Sequence, residues 1–432
     1  MRLLPVLLLL TAFIPSAHSQ PAVHPPGPFA PSVYKARRAK LMATLGKGIA
    51  VLYARGKEDR DGYRQDSDFE YLTGVNEAGA ILILAPQERT YKEFLLLKPR
   101  NPESERWVGE RMPLSAALRK KTGFEKIRRT SGLSGKMIDL TRRAKVLHLI
   151  NQPGSINSPI SPEKKLYGKL QSRIPGLSVK DRSYLLPMMR SIKEPRELAR
   201  MRKAIAATME AHRAVAVSIK PGIEENWIAS NIDVEFKRAG ATRPAFSSIV
   251  GSGEHSTILH YPDHNKTIEL GDLVVVDIGA EYARYAADIT RTYPADGYFS
   301  DEQKKIYNIV LRAQKAALAK VRAGAYFEDI GRTARRVIEE AGYGDYYIHG
   351  LGHFVGLDVH DAGRMKQPLR AGMVITIEPG IYIPEKALGV RIEDMVLVTK
   401  RGYEHLTKEL PSTVSMVERM MGPGKLKKPR FQ

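Results

Sequence analysis

The chain of 432 residues is predicted to fold as an α+β protein of two domains. Three observations support this. The length exceeds one ordinary core, and 43% hydrophobic with 27% charged residues is a globular composition. From Tyr34 to about Val179, short apolar runs alternate with helical stretches, the pattern of a smaller α/β domain. From residue 184 onward the order becomes helices, strands, helices, strands.

The elements follow in chain order. Residues 1–19, "MRLLPVLLLLTAFIPSAHS", have the layout of a secretory signal peptide: Arg2, an apolar stretch from Leu3 to Ile14, then small residues before a cleavage point. The stretch is short and interrupted by Pro5, so it makes a poor membrane span, and no second one follows. A soluble mature protein, secreted or periplasmic, is expected. The first domain, 20–183, opens with a Pro-rich leader and carries strands at 48–54, 79–86, 93–98 and 145–150. No compact group of histidines and acids stands out there, so no chemistry of its own is expected.

The second domain, 184–421, begins with a long helix with Pro195 in its first turn, stopped by Pro221-Gly222. Further helices are expected at 224–238, at 301–321 behind a Ser300/Gln303 capping box, and at 328–341. The runs "GMVITIEPG" and "GVRIEDMVLV" read as two closing strands. His212 is expected to pack on its helix, and His405 to face solvent. Residues 422–432 form a basic tail in which Pro423 and Pro429 disfavour helix.

The formal net charge of +21 opens the question of nucleic acid or anionic surfaces. The basic residues are scattered, however, so a solvated basic surface is the reading and no specific nucleic-acid partner is expected. The absence of cysteine excludes disulfides and thiolate metal sites, leaving His, Asp and Glu as ligands.

Those ligands have a pattern. Asp277 ends the β-branched run Val274–Val276, where an ionised carboxylate needs a positive partner. Asp288 follows eleven residues later, and "AEYARY" between them can form a hairpin that places both aspartates on one face. Glu378 and Glu393 sit in the two closing strands in the same manner. Four acids converging on one interior repel each other unless divalent cations hold them ionised. His349 and His353, in "HGLGHFVGLDVHD", have the i, i+4 spacing of zinc-binding helices. Gly350, Gly352 and Gly356 argue against a helix there. One histidine with four carboxylates is a hard, oxygen-rich set that suits manganese, with cobalt or zinc as alternatives. Five such ligands are enough for two metal ions.

The stretches "VVVDIGAEYARYAADITRTYP", "HGLGHFVGLDVHD", "VITIEPGIYI" and "GVRIEDMVLV" resemble the pita-bread metallopeptidases, in their proline-specific branch of aminopeptidase P and prolidase. "RQDSDFEYLTGVNEAGAILILAP" (64–86) is similar to that branch's N-terminal domain, so the resemblance spans most of the chain. It implies a pita-bread catalytic domain at 184–421 behind an aminopeptidase P-type N-terminal domain at 20–183. It also implies a pair of metals, with Asp277 on one, Asp288 and Glu393 bridging, and His353 and Glu378 on the other. A bridging hydroxide would attack the scissile carbonyl, with Glu378 as general base. His260 and His349 would donate hydrogen bonds to the substrate, His360 would line the pocket, and Tyr382 and Arg391 would support substrate and water.

The implied activity is that of an Xaa-Pro aminopeptidase, removing an N-terminal residue ahead of proline, from a protein that resemblance makes a dimer. The rival is a prolidase acting on Xaa-Pro dipeptides. "HGLGHFVGLDVHD" and "EPGIY" look prolidase-like, but the segment between Asp361 and Gly372 lacks the long insertion of some prolidases. A different class is a non-catalytic relative that binds nucleic acid or another anionic polymer through the basic surface. Retention of all five ligands disfavours it, and disfavours creatinase-like hydrolysis without metal.

Overall fold

A computed structural model describes residues 27–56, 63–152 and 154–422. The signal segment, the leader up to Pro26 and the tail beyond Gly422 lie outside the described residues.

The first domain is built on a six-stranded sheet in the order Ile127–Arg129, Glu93–Leu97, Ile81–Leu84, Ile49–Tyr53, Val146–Leu149, Ser178–Asp181. The two inner pairings among Ile49–Tyr53, Ile81–Leu84 and Glu93–Leu97 are antiparallel, and the outer ones parallel. Its apolar runs are buried on both faces, as continuous hydrophobic strands must be. Ala50, Leu52, Leu82, Leu84, Leu95 and Leu97 enter one core. The alternate residues Ile49, Val51, Ile81, Ile83, Phe94 and Leu96 enter another. The two edge strands were not read from the sequence. Both are short and mostly polar, Ile127–Arg129 half-buried and Ser178–Asp181 exposed, so no apolar periodicity marks them.

The second domain opens on the helix Pro195–Ser218, where Glu194 and Glu197 form a capping box and Pro195 stands in the first turn. Helices Glu225–Arg238, Asp301–Leu318 and Phe327–Glu340 follow, and Ser300 and Gln303 make the expected reciprocal cap. Among the described residues no helix is long and apolar enough to cross a membrane.

Strand Leu273–Ile278 is flanked by Ile249–Ser252 and Ile289–Pro294, both antiparallel. Asp277 pairs with Thr290, so Asp288, two residues earlier, lies on the same face of the hairpin. Gly279 allows this closeness: a Cβ there would stand 1.9 Å from the Ala287 carbonyl oxygen. The turn residues Ala283 and Arg284 both have left-handed φ, 48° and 80°, which side-chain-bearing residues rarely adopt.

The two closing strands are a correction. Each is broken in two, giving Val374–Ile377 with Gly380–Ile383 and Leu388–Arg391 with Asp394–Val398. Pairing runs Ile377 to Asp394 on one side of the break and Gly380 to Arg391 on the other. Pro379 explains the interruption, since it has no N–H to give the ladder. Glu378 and Glu393 sit at the two facing breaks.

Candidate metal centre

Ligand-type atoms of Asp288, His353 and Glu393 all lie within 4.8 Å of one another. His353 Nε2 stands 3.3 Å from Asp288 Oδ2 and 3.4 Å from Glu378 Oε1. Three of the five expected ligands therefore meet around one point, and Glu378 reaches the same imidazole. The fifth, Asp277, is 8% exposed on the same hairpin face, and its Oδ2 accepts a 2.8 Å hydrogen bond from Arg391 Nη2. The positive partner that its burial demands is thus in part an arginine, which the sequence did not pair with it.

The site is short of positive charge. Asp277 Oδ1, Asp288 Oδ1 and Glu393 Oε1 are buried without a hydrogen-bond partner, a costly state for carboxylate oxygens. His353 sharpens the point. With its Nδ1 donating to the Phe354 carbonyl at 3.2 Å, Nε2 turns a lone pair toward two acids. Burial, then His360, lowers the His353 pKa to about 4, so the ring is neutral near pH 7. Burial raises Glu378 to about 8, with Asp277 adding to the rise and Arg391 opposing it. Burial and the neighbouring acids push Asp288 and Glu393 well above the carboxylate range. Unpartnered oxygens, a neutral imidazole and acids that resist ionising together fit divalent cations.

Two threonines hold the glutamates, and the sequence reading missed both. Thr376 Oγ1 donates to Glu378 Oε1 at 3.0 Å and accepts from the His353 backbone N–H. Thr290 Oγ1 donates to Glu393 Oε2 at 2.7 Å and accepts from Arg391 Nε. The signal was available: each stands two residues from a candidate ligand, in "TIE" and "DIT", hence on the same strand face.

Beside the acids, Arg391 Nη1 donates to Tyr382 Oη at 3.0 Å, and His349 Nε2 lies 2.9 Å from that oxygen. His349 Nδ1 is 2.8 Å from the Gly350 carbonyl, so both ring nitrogens are occupied within the protein. Burial and then Arg391 lower His349 to about 4. Burial raises the Tyr382 hydroxyl to about 12. His360 is exposed and meets His353 edge to face at 4.2 Å, while His260 is exposed in the loop after Leu259, whose carbonyl faces Arg391. Residues 349–353 form no helix, as their glycines suggest.

His212 is packed, between the Tyr293 hydroxyl and the Ile289 carbonyl. His405 departs from expectation: its ring is only 27% exposed and stands 3.3 Å from Asp394 Oδ1. That buried acid, itself paired with Arg291, draws the ring inward.

Two family models match the chain: metallopeptidase family M24 over residues 199–400, and the aminopeptidase P N-terminal domain over 34–149. A Xaa-Pro aminopeptidase of Haemophilus influenzae is 34% identical over 90% of this chain and 96% of its own length. The chain belongs to metallopeptidase family M24. Within the family, a Xaa-Pro dipeptidase of Pyrococcus horikoshii is 46% identical, but over only 51% of this chain and 63% of its own length. The solved aminopeptidase PepP of Pseudomonas aeruginosa superposes with a TM-score of 0.83 at 32% identity, covering 91% of this chain and 98% of that one. The M24 fold is therefore matched together with its N-terminal domain, and the metal-centre residues described above all lie within the M24 match.

Proposed function

We propose that the protein is a metal-dependent Xaa-Pro aminopeptidase that hydrolyses the bond between an N-terminal residue and a following proline. The observation that carries the metal-dependent chemistry is the convergence of Asp288, His353, Glu378 and Glu393 with carboxylate oxygens buried and unpartnered. The specificity is supported by relatives of that activity matched along nearly their whole length.

Asp277, Asp288, His353, Glu378 and Glu393 would hold two divalent ions. Bound, such ions lower the pKa of water and polarise a carbonyl. The chain's own residues do the rest. Glu378 is the most open of the acids, its side chain 16% exposed against 12% for Asp277 and 7% for Asp288. Thr376 holds its Oε1, which leaves Oε2 to take a proton from the attacking water. Glu378 then delivers that proton to the proline nitrogen, which carries none of its own in the imide bond. Arg391 fixes Asp277 and Tyr382 together. His260, His349 and His360 line the approach, where ring edges suit a pyrrolidine better than an N–H donor it lacks.

Manganese is the ion this reading favours, because the donor set is oxygen-rich and hard. Restoring chelated enzyme with Mn²⁺, Co²⁺ or Zn²⁺ in turn tests it. The reading includes export, supported by the sequence of residues 1–19, and a homodimer, supported by family resemblance. Cell fractionation and light scattering check these. The deciding experiment offers Mn²⁺-loaded protein both Xaa-Pro and Xaa-Pro-Yaa peptides. Release of the first residue from the longer peptides is expected. Cleavage of dipeptides alone would instead establish the prolidase reading, which the 46% identity of the catalytic half to a dipeptidase keeps in view.

A further inference from the structure

We propose that Arg64, in the N-terminal domain, is a positioning residue that sets the separation between the two halves of the metal centre; the inference rests on the metallopeptidase reading above. One half is the hairpin bearing Asp277 and Asp288. The other is the loop bearing His353 and His360. A single guanidinium reaches both. Arg64 Nε donates to Glu281 Oε2 of the hairpin at 3.3 Å. Its Nη1 donates to Asp358 Oδ1 at 3.2 Å, and its Nη2 to the Leu357 carbonyl at 2.8 Å. Glu281 lies four residues beyond Asp277, and Asp358 two residues before His360. The nearest backbone joint between the halves is the hydrogen bond from Ala286 N–H to the Gly356 carbonyl, 2.8 Å.

The neighbours of Arg64 in "RQDSD" act in the same direction. Ser67 Oγ donates to Asp358 Oδ1 at 2.7 Å. The Gln65 carbonyl accepts from Arg284 Nη2 at 2.9 Å, at the hairpin turn where Ala283 and Arg284 are held with left-handed φ. Strained backbone of this kind persists only where its surroundings over-determine it. The three contacts of Arg64 diverge from one planar fork, a geometry that a lysine ammonium on its flexible stem does not reproduce.

Removal of Arg64 leaves each of its two carboxylate partners another cation. Arg243 stays on Glu281, and Arg190 on Asp358. The fold is therefore expected to survive while the spacing of the halves relaxes. The test titrates metal-free, full-length Arg64→Ala and Arg64→Lys proteins with Co²⁺, following visible absorption and calorimetric affinity. It also compares their metal-free melting with the parent. Arg64→Ala should bind Co²⁺ about tenfold more weakly with a shifted spectrum, and Arg64→Lys should recover little of either. Metal-free melting should match the parent. Parental Co²⁺ affinity and spectrum in Arg64→Ala would overturn the proposal. So would a loss that Arg64→Lys fully restores, or one accounted for by lower metal-free stability. No peptide enters the titration, so failure of the parent to cleave ahead of proline would count against the proposed function and not against the role of Arg64.

Discussion

Two groups of buried acids lie close together in the second domain and differ in how their charge is met. Asp394, 1% exposed, has Arg291 Nη2 at 2.7 Å, Thr407 Oγ1 donating at 2.6 Å and His405 at 3.3 Å. Although burial works against ionisation, Arg291 and these donors hold its pKa down at about 2. Asp361 is treated alike: Lys193 stands at 2.8 Å and Arg190 is in contact, and together they outweigh burial. Among the described residues no arginine or lysine pairs with Asp288 or Glu393, and both resist ionising although Thr290 donates to Glu393 and His353 stands beside Asp288. Glu393 is the residue next to Asp394, so depth and sequence position do not explain the contrast. An acid paired internally serves the fold. An acid left unpaired beside an imidazole is available to a cation from solution.

Breaking each group should give opposite results. The largest effect is expected from Asp288→Ala. It should lower cleavage of Xaa-Pro-Yaa peptides by roughly 10³-fold or more, about 4 kcal/mol in the barrier, with loss of bound metal by elemental analysis. In the metal-free state the same variant should be no less stable than the parent, because it removes a buried carboxyl group that the fold does not pair with a cation. Asp394→Ala should do the reverse to stability. Stranding Arg291, which is 0% exposed, is expected to cost ~3–5 kcal/mol in urea unfolding.

A pH series sharpens the comparison with a smaller effect. In the metal-free protein Glu378 keeps its proton up to about 8, whereas the unfolded chain releases it near 4.5. The folded state therefore binds more protons across that window, and stability must fall as pH rises through it. Adding Mn²⁺ should flatten that fall. Asp394 has the opposite sign: its contribution is complete above about 3.8 and is lost as pH drops toward 2. Thermal melting with and without metal from pH 3 to 9 reads both limbs. The smallest effect belongs to an exposed pair. Arg143→Gln removes contacts to Glu88 and Asp139, in which Arg143 is 49% exposed, and should leave urea unfolding unchanged, because solvent screens the pairs.

Much of this centre was legible without coordinates. The hairpin aspartates follow from period-two alternation around "AEYARY", and the observed register places Asp277 and Asp288 on one face. The glycines of "HGLGHFVG" argued against a zinc-binding helix, and no helix forms there. Pro379 could have warned that "VITIEPGIYI" is two strands. Other features left no trace. Arg391 on Asp277 joins residues 114 apart, and Arg64 on Asp358 joins residues 294 apart. The N-terminal domain, expected to carry no chemistry, reaches the metal-centre loops through such contacts.

The order and type of the candidate ligands were determined by the sequence alone. Alternation along a strand is a local property, and a carboxylate at the end of an apolar run is conspicuous wherever it stands. Which acids would be neutralised by arginine or lysine and which left bare was decided only by the tertiary structure. Coulomb interactions depend on separations of a few ångströms, and hairpins a hundred residues apart acquire those separations only on folding.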